Sequence, residues 1–199
     1  MQPSYSSDSP IILASNSPRR KELLRQIGVN YISDPANVDE SVLQGESPEA
    51  YALRVALDKA RVAAARAASG LVVAADTIVV LDDNILGKPV DMQDAERMLV
   101  MLAGREHRVI TGIAIIDAAT GKSLTSTSVT KVWFRQLTRD EIIAYVNTGE
   151  PLDKAGAYGI QEKGALLVDK VEGCYFNVVG LPLSLLNTML KEFQVNLMC

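Results

Sequence analysis

The sequence has few of the residues that build metal–thiolate or metal–imidazole sites. Its 199 residues include one histidine, His107, and two cysteines, Cys174 and Cys199, which stand far apart and form no CxxC pair. Zinc sites use several cysteine or histidine ligands, and disulfide frameworks need paired cysteines. The composition argues against both kinds of protein. It suits a reducing compartment, and we expect a cytoplasmic location.

Long apolar runs are missing too. No stretch approaches the ~20 apolar residues that a membrane helix needs, so we expect no membrane partner. The segment from Met1 to Pro10 is polar and serine-rich, without the apolar core of a signal peptide. We expect it to be a disordered tail, followed by a single domain over residues 11–199.

The chain also lacks an excess of positive charge. Lysine and arginine total 20 against 24 aspartate and glutamate residues, which gives a net charge of −4. Binding to a nucleic-acid polymer normally requires a basic face, so we expect none. There is no GxxxxGK[ST] loop and no Ser-His-Asp arrangement, which excludes a P-loop enzyme and a serine hydrolase of that type.

Helix and strand signals alternate along the first half of the chain and predict an α/β fold around a mixed, twisted sheet. Ser17-Pro18 and Ser47-Pro48 each predict a helix start, and the second helix is expected to run to about Ser69. Thr138 with Glu141 predicts a capping box. Arg105 to Arg108 is interpreted as an exposed turn, with a structural or solvated His107.

The first candidate for chemistry is Ser15-Asn16-Ser17-Pro18-Arg19-Arg20, between a predicted strand and the first helix. The free N–H groups of a helix N-terminus attract anions, whereas cations are disfavoured there. A bound phosphate would remove that conflict, and arginine suits phosphate oxygens. The alternative is a solvated helix start with two surface arginines.

The second candidate is Asp76 within the apolar run Ala74-Ala75-Asp76-Thr77-Ile78-Val79-Val80. A carboxylate in a buried strand needs a cation, a metal or several hydrogen-bond donors. At the end of a parallel strand it would face a ligand. The alternative is an aspartate in a turn between two strands.

Weaker signals come from the loop pair Asp39-Glu40 and from three lysines. Carboxylates such as these suit Mg²⁺ or Mn²⁺ bound to substrate phosphates, although an acidic loop is often only solvated. The lysines are Lys59, Lys88 and Lys154, and a single lysine is more often a surface charge than a ligand. Glycines near Lys154 would let backbone amides approach a ligand, and Gln161 can both donate to and accept from a base edge.

Taken together, the motifs resemble those of the Maf family. The matching segments occur in family order from Ile11 onward, and they are Leu13 to Arg20, Ala75 to Val79, Gly87-Lys88-Pro89, Glu150 to Gln161 and Asn177 to Pro182. The resemblance implies a fold similar to that of inosine triphosphate pyrophosphatases (Maf/Ham1-like), with flanking helices and a central cleft. It also implies a homodimer and a nucleoside triphosphate pyrophosphatase that depends on a divalent cation, Mg²⁺ or Mn²⁺.

The resemblance further implies roles for individual residues. Asp76 matches the proton acceptor, and Arg20, Glu40, Lys59 and Lys88 match or lie near charged positions of the catalytic set. Glu40 and Asp76 would hold the metal. Ser15, Ser17, Arg20 and Lys154 would bind phosphate.

The triplet Arg19, Thr77 and Gln161 resembles the branch that acts on dTTP and UTP. Two other functions stay open. One is a house-cleaning pyrophosphatase for modified or purine nucleotides, including 7-methyl-GTP. The other is a nucleotide-binding regulator of cell division without catalytic activity.

Overall fold

The structure, a computed structural model, describes residues 10–198. The predicted tail, Met1 to Pro10, lies outside the described residues except for Pro10. Within the described part, no helix is long and apolar enough to cross a membrane. The strands and helices, in chain order, are β1 (Ile11–Leu13), α1 (Pro18–Gln26), β2 (Tyr31–Ser33), α2 (Pro48–Ala64), β3 (Leu71–Leu81), β4 (Asn84–Leu86), α3 (Met92–Leu102), β5 (Glu106–Asp117), β6 (Ser123–Phe134), α4 (Arg139–Val146), β7 (Val168–Glu172), α5 (Tyr175–Val179) and α6 (Leu183–Lys191). Short 3-10 segments lie at Glu150–Asp153, Ala155–Ala157 and Glu162–Leu167.

The strands form one mixed sheet in the order β2-β1-β3-β5-β6-β7, with β4 paired to β3. Strand β1 pairs in parallel with both β2 and β3. Strands β4 and β7 run antiparallel to β3 and β6. The α/β class with flanking helices is therefore confirmed, and the central cleft stays a prediction.

The residues group into two compact units. The first comprises the residues up to Asp76, Thr111–Ser128 and the residues from Gly180 onward, and the second comprises Thr77–Ile110 and Val129–Val179. The core of the first unit is rich in alanine. Ala56, Ala60 and Ala63 of α2 pack there with strand residues such as Val72 and Ala114. The core of the second unit includes larger side chains, among them Leu99, Phe134 and Tyr158. The assignment of a single domain to residues 11–199 stays a prediction.

The predicted helix starts are confirmed by their caps. The Ser17 hydroxyl accepts from the Arg20 amide, and the Ser47 hydroxyl accepts from the Ala50 amide. Thr138 and Glu141 form the reciprocal capping box at the start of α4. Side-chain oxygens at these positions satisfy amides that have no partner inside the helix.

The predicted end of α2 near Ser69 is wrong, because the helix ends at Ala64. Beyond that point the Arg66 amide bonds three residues back, to the Ala63 carbonyl, and the helical pattern stops. The Arg66 guanidinium meanwhile pairs with the Asp34 carboxylate at 2.8 Å. A favourable alanine composition alone therefore overestimates the helix.

The interpretation of Arg105 to Arg108 as an exposed turn is also wrong. Strand β5 begins at Glu106, and His107 is only 2% exposed. Its Nε2 lies 2.7 Å from the Tyr158 hydroxyl, and its ring packs edge-on against those of Phe134 and Tyr158. Burial lowers the pKa of His107 to about 4.

Candidate active site

Asp76 lies inside the continuous strand β3, so the alternative of a turn between two strands is wrong. Residues 71–75 before it and 78–81 after it are buried, and Asp76 itself is 8% exposed. A carboxylate in such a position requires a compensating charge or donor. The structure supplies it from α2.

Lys59 of α2 is shared by two carboxylates. Its Nζ lies 2.7 Å from Asp76 Oδ1 and 2.6 Å from Glu40 Oε1. The side chains of Lys59 and Asp76 are 12% and 11% exposed, whereas that of Glu40 is 52% exposed. We define this group of three residues as the Lys59 cluster; it combines a buried carboxylate and a largely buried ammonium with a carboxylate open to solvent.

The position of Lys59 follows from how closely α2 approaches the sheet. Alanines on the buried face of α2 allow this approach. Gly112 of β5 makes it closer, because a Cβ at that position would overlap the Ala52 backbone of α2. The small residues of helix and strand therefore bring the lysine stem to the level of Asp76.

Glu40 belongs to a segment without regular secondary structure, which α2 holds in place. The Tyr51 hydroxyl donates to the Glu40 carbonyl at 2.8 Å. The Arg54 guanidinium donates to both carboxylate oxygens of Glu46, at 2.6 and 2.8 Å, and to the Ser41 carbonyl at 2.8 Å. Bidentate pairs of this kind fix orientation as well as distance. Two residues of α2 thus hold the backbone carbonyls of Glu40 and of Ser41, the next residue.

Tyr51 lies near enough to the cluster for the charges of its carboxylates to affect the pKa of the tyrosine. Its pKa is raised to about 12, first by burial and then by the negative charges of Asp76 and Glu40. Asp39, the other acidic residue of the predicted pair, is bound instead to Ser41, whose amide and hydroxyl donate to it at 2.8 and 2.6 Å. These bonds lower the pKa of Asp39.

Arg20 connects the start of α1 to the segment before α6. Its Nε donates to the Gly180 carbonyl at 2.8 Å, and its Nη1 donates to the buried Ser15 hydroxyl at 3.2 Å. Burial lowers the pKa of Arg20, and so does the neighbouring Arg19, whereas the charges of Asp76 and Glu40 act in the opposite sense. Arg20 is therefore close enough to interact electrostatically with both carboxylates of the Lys59 cluster.

The first unit thus brings together most of the predicted catalytic and phosphate-binding residues. They are Ser15, Ser17, Arg20, Glu40, Lys59 and Asp76, with the half-buried Arg19 beside Arg20. The sequence did not single out Tyr51, Arg54 or the Gly180 carbonyl. Their spacing could have indicated Tyr51 and Arg54. The two residues are three apart on the predicted second helix, so they lie on adjacent turns and can contact the same loop.

The remaining predicted residues, Thr77, Lys88, Lys154 and Gln161, belong to the second unit. Lys88 is exposed, and its loop is tied to the segment after Lys154 because the Gly156 amide donates to the Gly87 carbonyl at 3.0 Å. The Lys154 ammonium is held locally by the Glu150 carbonyl and the Asp153 carboxylate, at 2.6 and 2.8 Å. A pocket of about 530 Å³ is lined by Thr148, Gly149, Glu150, Leu152, Asp153, Lys154, Glu162 and Lys163.

The donor set of the Lys59 cluster fits a hard divalent cation. Among residues 10–198 there is no group of three or more His, Cys, Asp or Glu side chains that could hold a metal ion. Mg²⁺ needs no such cage, because it is commonly bound through one or two carboxylates with water and substrate phosphates. Glu40 and Asp76 already gather two carboxylate oxygens around one positive charge.

Comparisons with known proteins place this chain among named relatives. The family model described as Maf-like protein matches residues 10–193. A dTTP/UTP pyrophosphatase from Acetivibrio thermocellus is 52% identical over 195 residues, covering 94% of this chain and 97% of that protein. Another from Moorella thermoacetica is 50% identical over 188 residues, covering 94% and 97%.

A solved structure, a HAM1 protein from Coxiella burnetii, is similar with a TM-score of 0.54. At 20% identity, over 92% of this chain and 99% of that one, it shows the fold alone. The expectation of a Maf/Ham1-like fold is confirmed.

Proposed function

The chain belongs to the Maf-like protein family, and on that premise we propose that it hydrolyses dTTP and UTP to the nucleoside monophosphate and pyrophosphate. Relatives about half identical over almost their whole length carry that name. The observation that carries the proposal is the Lys59 ammonium held between the carboxylates of Asp76 and Glu40. A protein that only bound a polyanion would gain nothing from two carboxylates beside its cations.

The reaction is attack of water at the α-phosphorus, with pyrophosphate as the leaving group. Asp76 accepts the proton of the attacking water, and Lys59 holds the Asp76 carboxylate in place through its 2.7 Å ion pair. Arg20 and the N-terminus of α1, with Ser15 and Ser17, orient the phosphate chain. The contributions of Lys88 and Lys154 to phosphate binding stay predictions.

Glu40 and Asp76 are the residues that would hold Mg²⁺ or Mn²⁺. A bound divalent ion supplies neutralisation of the phosphate charge that develops in the reaction. The Glu40 carboxylate is half-exposed and so open to a bound ion, and the bonds from Tyr51 and Arg54 fix the backbone carbonyls of Glu40 and Ser41.

We assign discrimination between bases to Arg19, Thr77 and Gln161. Polar groups built to pair with one base edge penalise another base by being left without partners. The homodimer and the cytoplasmic location rest on the family resemblance, and light scattering of the purified chain tests the dimer.

The test is a substrate panel with pyrophosphate detection. Purified protein with Mg²⁺ or Mn²⁺ receives dTTP, UTP, CTP, dITP, GTP or 7-methyl-GTP. Release from dTTP and UTP alone is the expected result. Release from purine or modified nucleotides instead would favour the house-cleaning role and would contradict the assignment of base discrimination to Arg19, Thr77 and Gln161. No release from any nucleotide would favour a nucleotide-binding regulator of cell division.

A further inference from the structure

A second network of hydrogen bonds surrounds Gln161 and has no part in the reaction described above. The carboxylate of Glu150 is its centre. Glu150 Oε1 accepts from the Tyr145 hydroxyl at 2.9 Å and from the Gly164 amide at 3.2 Å, and Oε2 accepts from the Lys163 amide at 3.3 Å. The Tyr145 hydroxyl in turn accepts from the Gly159 amide at 3.3 Å.

These bonds hold both ends of a short segment, residues 159–164, which we define as the arch. Gln161 lies near its middle, two residues after Gly159 and two before Lys163. Both ends of the arch are therefore attached to one carboxylate–phenol pair. The Gln161 side chain makes no capping hydrogen bond to the 3-10 segment that follows it.

The space around Gly164 shows that the two ends of the arch are in contact. A Cβ on the buried Gly164 would overlap the Gly159 carbonyl oxygen and would lie 2.8 Å from the Tyr145 hydroxyl. Within the arch, Glu162 adopts a φ of 54°, a conformation that side chains other than glycine's rarely take. Such a backbone persists only where its surroundings fix it.

Tyr145 and Glu150 are suited to fixing the backbone of the arch. Tyr145 is 5% exposed, and burial raises its pKa, so its hydroxyl stays protonated and donates to Glu150. Hydrogen bonds to a charged acceptor are stronger than neutral ones. The arch is thus held by charge-assisted bonds to Glu150 at one end and by the Tyr145 hydroxyl at the other.

We propose that Glu150 and Tyr145 are positioning residues that fix the arch and so place Gln161 for discrimination between nucleotide bases. This inference rests on the proposed function, because it requires Gln161 to meet the base. It assigns selectivity to two residues outside the predicted triplet Arg19, Thr77 and Gln161. Loss of either should therefore change the choice among bases far more than the rate of the chemical step.

The experiment compares four variants with the wild-type enzyme. Glu150→Gln keeps the side-chain size but replaces one acceptor oxygen by a donor, and Tyr145→Phe removes only the hydroxyl. Glu162→Gln is the matched control, since it removes a negative charge from an exposed side chain inside the arch. Gln161→Ala tests the base reader itself. Thermal unfolding shows which variants are folded, and two different changes to one network protect the test against the loss of either.

Two readouts are needed. Hydrogen exchange of the Gly159, Lys163 and Gly164 amides should become about tenfold faster in Glu150→Gln and Tyr145→Phe, and should be unchanged in Glu162→Gln. The ratio of kcat/KM for dTTP to that for dCTP should fall about tenfold, through a higher KM for dTTP with kcat within about threefold.

The outcomes separate the inference from the proposed function. If Gln161→Ala lowers discrimination but Glu150→Gln and Tyr145→Phe do not, the inference is overturned and the proposed function stands. If exchange is unchanged in both variants, the two residues do not hold the arch. If Gln161→Ala leaves discrimination intact, Gln161 does not contact the base and the inference is overturned. The proposed hydrolysis of nucleoside triphosphates still stands in that case. Absence of nucleotide hydrolysis by the wild-type enzyme would overturn both.

Discussion

At the scale of single residues, the Lys59 cluster is costly for stability, and the proposed chemistry gives a reason for that cost. Removing a lysine and an aspartate from water costs several kcal/mol that their attraction only partly recovers. A chain selected for stability alone would do as well with apolar residues at these two positions. The cluster is instead the arrangement expected where a carboxylate must keep its charge and its orientation.

Replacing Asp76 with asparagine tests its role as proton acceptor. Asp76→Asn should lower kcat for dTTP by about 10³-fold, because the amide cannot take a proton, while KM changes less than about threefold. Steady-state pyrophosphate release measures both. Asp169→Asn, an exposed residue of β7, should match the wild-type enzyme. A kcat for Asp76→Asn within about tenfold of wild type would remove Asp76 from this role.

His107 should make stability depend on pH. Its pKa of about 4 in the folded protein lies below the ordinary 6.5, so folding favours the neutral ring. Its contribution is complete above pH 6.5 and is lost as the pH falls through about 4, a change of about 3 kcal/mol.

Urea unfolding between pH 7.5 and 4 measures this, with His107→Gln as the comparison because glutamine can still bond to Tyr158. Carboxylates that titrate between pH 7.5 and 4 affect the stability of the wild-type protein and of the variant alike. The wild-type protein should lose more stability than the variant over this range, and equal losses would show that His107 does not titrate with folding.

Asp76, Lys59 and His107 differed in how well the sequence alone identified their roles. Asp76 could be found because a carboxylate inside an apolar run violates the pattern around it. Lys59 could not be told from a surface lysine, since helices carry many of them, and only the family resemblance marked it. His107 was misplaced because its charged neighbours hid the alternation of exposed and buried residues at the start of β5.

At the scale of elements, α2 does most to assemble the site. It carries Lys59, and through Tyr51 and Arg54 it fixes the segment that bears Glu40. Helix starts were predictable because caps are local in sequence. The end of α2 and the attachment of the Glu40 segment depend on residues distant in sequence, such as the pair of Arg66 with Asp34, and no local pattern reports them.

Removing the Tyr51 hydroxyl should loosen Glu40. Tyr51→Phe deletes the bond to the Glu40 carbonyl, and we expect kcat to fall and the Kd for Mn²⁺ to rise, each by about fivefold. Electron paramagnetic resonance of free Mn²⁺ measures the second quantity independently of activity. Tyr31→Phe is the matched control, since it deletes a hydroxyl bonded to the Lys21 carbonyl in the same unit. Similar effects in both variants would argue against a specific role for Tyr51.

A methyl group between α2 and β5 should separate them. Gly112→Ala places a Cβ against the Ala52 backbone, and we expect the free energy of unfolding to fall by about 3 kcal/mol. Gly87→Ala, where a Cβ meets nothing within 4 Å, should change stability by less than about 0.5 kcal/mol. Chemical denaturation compares the two. A tolerated Gly112→Ala would show that α2 can shift without cost.

At the scale of the whole molecule, an acidic chain is proposed to act on an acidic substrate. The net charge of −4 gives no general attraction for nucleotides, so the proposed function requires local cations such as Arg20 and Lys59. The alternation of helices and strands was enough to predict the α/β class. The division into two units was not predictable, because strands β3, β5 and β6 each contribute residues to both.

Hydrolysis of dTTP in H₂¹⁸O tests the central claim most directly. If water attacks the α-phosphorus and pyrophosphate leaves, mass spectrometry will find one ¹⁸O atom in the nucleoside monophosphate and none in the pyrophosphate. Label in pyrophosphate, or release of labelled orthophosphate with a nucleoside diphosphate, would contradict the account.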